Sequence, residues 1–263
     1  MFLPKLSYSE QMARVLVVTN RKGGTGKTSS AVNIAAELAK QGQRVLLIDL
    51  DTQSHCALGL GVKIEHGSPS VHSFFLGKNT LRTALQNTCW PGLSLITADP
   101  LFDHGSGMPG DDLLCNALRS EGLHNDHDVI VLDTPPSLDA LLINALCAAD
   151  RVLVPFVPHF LAGEGVRQLA RVLFRVVSRG MNEELKLLGF LPVMMDMRIG
   201  QHREVIERIA NQFGPERLLP GIRNDIRVVE AFAMGKPVHV HAAKSRAAQD
   251  YADTALKILA WWK

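Results

Sequence analysis

The 263-residue sequence lacks long hydrophobic runs, a signal peptide and paired cysteines. Its longest apolar stretches, such as residues 152–157, are much shorter than the roughly 20 residues of a membrane-spanning helix. The N-terminus has neither the basic start nor the apolar middle of a secretory signal. The four cysteines are scattered without a C-x-x-C pair, which argues against a structural zinc site and a disulfide framework. These absences predict a cytoplasmic protein whose thiols are buried.

No linker, repeat or low-complexity tract divides the chain. We therefore expect residues 14–263 to form one domain behind a flexible leader, residues 1–13. Charge is nonetheless unevenly distributed. Residues 1–150 contain 11 Lys and Arg against 15 Asp and Glu, whereas residues 151–263 contain 17 against 11. The second half is where a polyanion would bind, although a solvated arginine surface explains the same charge equally well.

The strongest feature of the sequence is a glycine-rich loop at residues 20–29, with the sequence NRKGGTGKTS. A strand-like apolar run precedes it at 15–19, and a helix-like run follows at 31–40. Strand, glycine loop and helix come in the order that a phosphate-binding loop needs, which favours this interpretation over a plain glycine turn. The predicted phosphate-binding residues are Lys22, Gly23, Gly24, Thr25, Gly26, Lys27, Thr28 and Ser29.

These residue types suit a nucleoside triphosphate. The glycines allow backbone angles closed to other residues, so that successive N–H groups can surround phosphate oxygens at the positive end of a helix. Lys27 would neutralise the β- and γ-phosphates, and Thr28 would offer a hydroxyl to Mg²⁺.

The loop departs from the usual pattern G-x-x-x-x-G-K-S/T, because Arg21 replaces the first glycine and Lys22 adds a second lysine. Its K-G-G-T-G-K-T segment resembles the deviant phosphate loop of the ParA/MinD family of ATPases. The resemblance covers roughly residues 14–260 and implies an α/β P-loop fold: a mostly parallel, twisted sheet flanked by helices on both faces. It also implies that Lys22 crosses a dimer interface to the nucleotide of the partner subunit.

A second motif follows the predicted strand at residues 44–48, which is apolar throughout and ends in Asp49-Leu50-Asp51. The carboxyl ends of parallel strands face the ligand crevice, so both carboxylates are expected beside the phosphate loop. The segment DLDTQ is similar to the D-x-D-P-Q segment of the family. That resemblance implies that Asp51 positions the attacking water and that Asp49 supports the magnesium shell, both as catalytic groups.

A third motif, DVIVLDTPPS at residues 128–137, is an apolar strand that ends in Asp133. This is the build of a Walker B strand, whose acid holds Mg²⁺ through water opposite Thr28. The D-x-P-P continuation resembles the switch loop of the same family. The expected cofactors are therefore ATP and Mg²⁺, with Thr28, Asp49 and Asp133 around the metal. Iron–sulfur relatives are disfavoured, since residues 131–137 contain no cysteine.

Two segments of the second half resemble the loops that frame adenine in the family. The strand-like run at 186–193 leads into M-x-D-x-R, which implies that Met195 and Asp196 contact the nucleotide. Residues 219–238 resemble I-P-R-x-x-x-x-x-E-A…G-x-P-V, which implies a similar role for Pro220. Two inserted residues, Gly221 and Ile222, leave the register of this segment open by up to two positions.

The same two segments imply a DNA-binding surface. In DNA-binding relatives two arginines at these places lie on a basic face of the dimer, and they are matched here by Arg198 and Arg223, with Arg227 as a third candidate. Such arginines contact phosphates without reading sequence.

Three further stretches have helical or strand-like patterns. Residues 70–76 and 81–86 look helical, and residues 93–97 look like a strand. A helix is predicted over 164–179, with an arginine every fourth residue opposite an apolar side that includes Ala170 and Val177. That arginine face is either solvated or turned toward something acidic.

The last predicted helix, residues 246–260, is amphipathic and ends in Trp261-Trp262-Lys263. Tryptophans can lie at a bilayer interface, but a single terminal lysine is a weak anchor, so packing onto the domain is favoured over membrane binding. A MinD-like, membrane-cycling ATPase would need a lysine-rich helix here and remains the alternative.

Taken together, the resemblance implies a slow, partner-stimulated ATPase of the ParA type. We expect an ATP-dependent homodimer that binds nucleoid DNA without sequence preference. A ParB-like or cargo-adaptor activator would then stimulate hydrolysis. The expected role is to position or segregate a cargo such as a plasmid, a chromosome or a carboxysome.

Overall fold

The structure is a computed structural model that describes residues 12–102, 110–160 and 162–262. Seven strands form one sheet. In chain order the strands are β1 (Arg14–Val18), β2 (Val45–Asp49), β3 (Leu85–Asn87), β4 (Leu93–Ile96), β5 (Val129–Asp133), β6 (Arg151–Phe156) and β7 (Lys186–Pro192). The α-helices of the described residues are α1 (Lys27–Lys40), α2 (His55–Leu60), α3 (Val71–Phe75), α4 (Leu81–Ala84), α5 (Leu113–Ser120), α6 (Leu123–Asp126), α7 (Ala140–Ala148), α8 (Ala162–Ser178), α9 (Gly200–Phe213), α10 (Ile226–Ala233), α11 (Val238–His241) and α12 (Arg246–Trp261).

The strand order is β3-β4-β2-β5-β1-β6-β7, and every neighbouring pair is parallel except β3 with β4. The central strands β2 and β5 are buried along their whole length, which explains why their sequences are apolar runs without alternation. The parallel strands β1, β2 and β5 all end at the same edge of the sheet. That edge holds the glycine-rich loop and the strand-end aspartates.

Helices cover both faces of the sheet. One core cluster joins the sheet to α1, α2 and α10–α12 through side chains such as Ile34 and Tyr251. The other cluster joins it to α3–α9 through side chains such as Leu141 and Val166. The predicted α/β fold, a mostly parallel sheet between two helical layers, is therefore confirmed.

The C-terminal helix α12 packs onto the domain as predicted. Trp261 and Trp262 are half-buried and pack against the same core cluster as α1. The ammonium of Lys257 lies 4.8 Å from the centre of the Trp261 ring, a cation–π distance. Within the described residues, every helix is too short or too polar to span a membrane.

Two predictions of secondary structure need correction. The helix predicted over 81–86 ends at Ala84, because the next three residues pair with β4 at the edge of the sheet. The arginine-rich helix forms as α8, but Ala170 and Val177 are exposed, whereas the sequence pattern placed them on the buried side. The buried stripe of α8 consists of Ala162, Val166, Leu169, Val172 and Val176.

The predicted leader, residues 1–13, lies mostly outside the described residues. Its last residue, Ala13, is buried, and the Ala13 N–H donates a 2.9 Å hydrogen bond to the carbonyl of His124. The ordered packing of the domain thus already includes Ala13, one residue before β1.

The turns that directly follow helices α2 and α10 meet through their backbones at a pair of glycines. A Cβ added to Gly61 would lie 2.9 Å from the carbonyl oxygen of Gly235, and one added to Gly235 would lie 2.7 Å from the Cα of Gly61. Both glycines have left-handed φ angles, +68° and +63°. Glycine is therefore required at this contact for conformation and for space.

Gly61→Ala is expected to lower the free energy of unfolding more than Gly42→Ala does. Both substitutions place a side chain on a left-handed residue, which costs about 1–2 kcal/mol. Only the first also drives a Cβ against a backbone carbonyl, since nothing lies within 4 Å of the corresponding position at Gly42. Overpacking of this kind costs about 1–3 kcal/mol more. Urea unfolding measures both losses, and equal losses would show that the α2–α10 contact does not constrain the fold.

Candidate nucleotide site

The glycine-rich loop joins β1 to α1 at the carboxyl edge of the sheet. Gly24 and Gly26 both adopt left-handed φ angles, +70° and +71°, and Gly26 is the N-cap of α1 without a side-chain cap. The backbone N–H groups of residues 23–29 donate no hydrogen bond to any residue that the structure describes. A run of free N–H groups at a helix N-terminus, with no side chain at Gly23 or Gly24, suits a phosphate chain.

Neighbouring elements hold the loop in this shape. The Asn20 side chain donates a 2.8 Å hydrogen bond to the carbonyl of Pro155 in β6 and accepts one of 3.1 Å from the N–H of Lys22. The Arg21 guanidinium donates to the side-chain oxygen of Gln168 in α8 at 3.3 Å. The first half of the loop is thus fixed by protein contacts, and the second half offers its N–H groups to a ligand.

The two lysines of the loop lie in opposite environments. Lys27 is buried, and its ammonium donates a 3.4 Å hydrogen bond to the carbonyl of Lys22. Burial lowers the pKa of Lys27, while the charges of Asp133 and Asp51 oppose that shift. The Lys22 side chain is exposed and has no polar partner among the described residues. Lys27 therefore belongs to the interior of its own site, whereas Lys22 is exposed and lines a cavity beside residues 23–25.

The predicted aspartates converge behind the loop. Asp49 and Asp133 are paired residues at the ends of the neighbouring strands β2 and β5, and both are fully buried. The two oxygens of Asp49 accept backbone hydrogen bonds of 3.0 Å, one from Asp51 and one from Cys56. Asp51, half-buried, accepts a hydrogen bond from the N–H of Gln53. Asp49 thus shapes the turn that carries Asp51.

The buried pair of carboxylates is electrostatically unfavourable without a cation. Burial and the charge of Asp133 raise the pKa of Asp49 well above its usual range. Burial raises the pKa of Asp133 to about 7, although the Thr28 hydroxyl and the Lys27 ammonium oppose the shift. The Oδ1 atom of Asp133 is buried without a hydrogen-bond partner among the described residues. Thr28 and Asp133 therefore supply the hard oxygen donors and the uncompensated charge that fit Mg²⁺.

A cavity of about 270 Å³ lies between the loop and α10 and is suited to a nucleobase. Its lining includes Ser29, Met194, Ile222, Asn224, Val228 and Phe232. The sequence predicted Met195, Asp196 and Pro220 at this place, but none of the three lines the cavity.

Backbone conformation explains the difference. Met194 has a left-handed φ of 51°, which turns it rather than Met195 toward the cavity. Pro220 is exposed, and Gly221, with a φ of +88°, redirects the chain so that Ile222 and Asn224 reach the cavity. The inserted pair Gly221-Ile222 indicates the shifted register in the sequence. Nothing in the sequence indicates the left-handed φ of Met194.

The predicted DNA-binding arginines divide into two groups. Arg198 and Arg223 line one cavity of about 260 Å³ together with Arg246, which the sequence motifs missed. Arg227 lies on α10 outside that lining and pairs with Glu230 at 2.5 Å. No sequence motif marks Arg246. This residue lies at the start of α12, outside the two segments that resemble loops of the family.

Two of the cavity arginines are paired with carboxylates. The Arg198 guanidinium lies 2.6 Å from Asp196 and holds the pKa of that carboxyl well below its usual range. Arg223 lies 2.7 Å from Asp250. Asp196 therefore orients an arginine and does not face the nucleobase cavity. Arg246 has no carboxylate partner among the described residues, so the cavity keeps one uncompensated positive charge.

Comparisons with known proteins agree with this geometry. Residues 13–187 match a family model described as an AAA domain. The chain is 34% identical over 252 residues to the chromosome partitioning protein ParA of Caulobacter vibrioides, covering 94% of each chain. It is 37% identical over 253 residues to the chromosome-partitioning ATPase Soj of Thermus thermophilus, covering 94% of this chain and 96% of that relative.

A solved structure extends the likeness to three dimensions. The cobyrinic acid a,c-diamide synthase from Mycobacterium smegmatis, crystallised with a bound ATP analogue and magnesium, aligns with a TM-score of 0.80. The two chains are 34% identical, and the alignment covers 95% of this chain and 96% of that one.

Asp133→Asn is expected to stabilise the metal-free protein increasingly as the pH rises from about 5 to about 8. The folded-state pKa of Asp133, about 7, lies above that of the unfolded chain. The unfolded chain therefore loses this proton first, and wild-type stability falls as pH rises toward 7. Asparagine does not titrate, so the variant does not lose stability in this way as the pH rises.

Thermal unfolding in a chelating buffer, at several pH values, gives the difference between variant and wild type. Asp128→Asn is the control, because the Arg44 guanidinium holds the pKa of Asp128 below its usual range and its contribution is constant above that range. A difference for Asp133→Asn that does not change with pH would contradict the assigned electrostatics.

Proposed function

The chain belongs to the ParA/MinD family of ATPases, and from this premise we propose that it is a ParA-type partitioning ATPase that dimerises with ATP. In this proposal two copies enclose two ATP molecules with Mg²⁺, and the dimer binds nucleoid DNA without sequence preference. A ParB-like or cargo-adaptor protein then stimulates slow hydrolysis, which releases the dimer from DNA. The cargo positioned in this way is a plasmid, a chromosome or a protein organelle.

The contrast in burial between the two loop lysines is the observation that carries this proposal. Lys27 is buried beside the carboxylates of its own site, which suits the charge of the β- and γ-phosphates. Lys22 is exposed beside the same phosphate-binding N–H groups and has no partner within the described part of its own chain. An exposed, unpaired lysine at this place suits a contact with the nucleotide of a second copy.

The remaining site residues take roles that their positions support. Thr28 and Asp133 hold Mg²⁺, which when bound neutralises the phosphate charge. Asp49 keeps the turn after β2 in place through its two backbone hydrogen bonds. Asp51 then lies at the half-buried end of that turn, where it orients the attacking water. Loose phosphoryl transfer needs such positioning more than a strong base.

The cavity arginines support DNA binding by this chain. Arg198, Arg223 and Arg246 lie together, and Arg246 pairs with no carboxylate in the described part of the chain. In the single chain, Asp196 and Asp250 neutralise the other two arginines. One chain therefore offers little net charge, and dimerisation doubles the number of arginines that a DNA duplex meets, which suits ATP-dependent binding.

A MinD-like membrane cycle is the second candidate. It requires an apolar surface on the C-terminal helix that can enter a lipid interface. Trp261 and Trp262 instead pack against the core cluster of α1 and α12. This packing favours DNA over an anionic membrane as the binding partner.

Lys27→Ala and Lys22→Gln are expected to fail at different steps. Lys27→Ala removes a buried charge partner, worth about 2–5 kcal/mol, so ATP affinity should fall by at least about 30-fold. Lys22→Gln should keep ATP binding within about threefold, since the side chain is exposed and unpaired in the described part of its own chain, and should stay monomeric with ATP.

Calorimetry measures ATP binding, and light scattering after gel filtration measures the mass with a non-hydrolysable analogue. Lys186→Gln, an exposed lysine at the other end of the sheet, is the control and should dimerise normally. A dimer formed by Lys22→Gln would contradict the proposed contact of Lys22 with the second nucleotide. Tight ATP binding by Lys27→Ala would contradict the proposal that the loop binds phosphate.

Sedimentation with DNA or with anionic vesicles tests the function as a whole. With ATP and Mg²⁺ the wild type should sediment with DNA of any sequence, and not with vesicles. Arg198→Gln with Arg246→Gln should reduce the salt dependence of DNA binding by about 0.9 per lost phosphate contact, while the dimer remains.

Arg208→Glu is the control, because this arginine of α9 pairs with Glu204 and does not line the cavity. Binding to vesicles without binding to DNA would favour the membrane cycle. Undiminished DNA binding by the double variant would show that DNA binds to another surface of the protein.

A further inference from the structure

We propose that Asp49, Cys56 and Asp133 form a buried site for a thiophilic divalent cation such as Zn²⁺ or Cd²⁺. The site shares Asp133 with the proposed magnesium site but differs from it in having a sulfur donor. Binding of the cation depends only on the three side chains, whereas its effect on hydrolysis rests on the proposed ATPase function.

The three donor atoms are close enough for one ion. One ligand atom from each residue lies within 4.8 Å of the other two, and all three residues are buried. The Cys56 thiol is 3.5 Å from Oδ2 of Asp133, to which it donates a hydrogen bond. Tetrahedral Zn²⁺ with bonds of about 2.0–2.3 Å places its donors about 3.3–3.8 Å apart. The spacing between the Cys56 thiol and Asp133 already falls in that range.

The backbone fixes the thiol in this position. Ser54 adopts a left-handed φ of 52°, and its hydroxyl donates a 2.9 Å hydrogen bond to the carbonyl of Ala98. The turn that results starts α2 so that the N–H of Cys56 reaches Asp49 and its thiol reaches Asp133. Two contacts, one from the main chain and one from the side chain, thus orient Cys56 toward the carboxylates.

The unpartnered oxygen of Asp133, which also supports the proposed magnesium site, shows that the cluster favours a cation. Its Oδ1 atom has no hydrogen-bond partner among the described residues, although the residue is fully buried. Burial of a carboxylate oxygen without a partner is costly, and two carboxylates at the ends of adjacent strands add to that cost. A dication between them removes both penalties.

Donor chemistry decides which cation the set prefers. Mg²⁺ takes oxygen ligands in octahedral geometry and keeps several waters, so a thiol adds nothing to its binding. Zn²⁺ and Cd²⁺ bind thiolate strongly, and the coordinated thiol loses its proton to solvent. Because a dication bound at Asp133 would repel a second dication beside it, occupation by the thiophilic cation should weaken Mg²⁺ binding and inhibit ATP hydrolysis.

Titration of the nucleotide-free full-length chain with Cd²⁺ tests the proposal, with the ultraviolet thiolate-to-cadmium charge-transfer band as the signal. Cys89→Ser is the background, because Cys89 is the exposed cysteine of this chain and a competing ligand. In that background we expect one tight Cd²⁺ site. Cys56→Ala should lose its band, and the affinity should fall by about 100-fold or more, since loss of even an outer-shell partner costs 10–100-fold.

Cys56→Ser guards against a folding defect, because serine keeps a hydroxyl that can donate to Asp133 yet lacks the sulfur that produces the band. Asp133→Asn should also weaken Cd²⁺ binding. A band that persists in Cys56→Ser, or an affinity unchanged in Asp133→Asn, would overturn the proposal. Cd²⁺ binding in a chain that hydrolyses no ATP under any condition would uphold this site and reject the proposed function instead.

Discussion

Two carboxylates of like charge lie side by side at the ends of β2 and β5, and the arrangement around the phosphate loop compensates for that repulsion. Asp49 and Asp133 are paired in register and fully buried, so neither can be solvated. Backbone N–H groups from the following turn satisfy Asp49, and the Lys27 ammonium opposes the negative field at Asp133. What is left uncompensated is one oxygen of Asp133, where a divalent cation fits.

The motifs that predicted the site share one property: they are local in sequence and lie at strand ends. A glycine loop between a strand and a helix, or an acid after an apolar strand, has its position set by the parallel sheet, so Lys27, Asp49 and Asp133 were predictable. The fold class followed from the same apolar runs, because only a sheet covered on both faces buries strands without alternation.

Features that depend on long-range packing could not be predicted in this way. With the left-handed φ angles of Met194 and Gly221, the cavity between the loop and α10 is lined by Met194 and Ile222 and not by Met195 and Pro220. Arg246 reaches the arginine cavity from another part of the chain, and it has no motif that would mark it. The short helix α4 ends early because a strand partner, and not local propensity, determines the next three residues.

The backbone contact between Gly61 and Gly235 has a consequence for how the protein senses its ligand. Helix α10 lines the nucleobase cavity through Val228 and Phe232, and α2 follows the turn that carries Asp51. The backbones touch directly at Gly61 and Gly235, and the Phe232 ring of α10 packs against Gly59 of α2, so the two helices form one close-packed unit. A ligand in the cavity beside α10 would therefore press, through this contact, on the helix that follows the turn of Asp51.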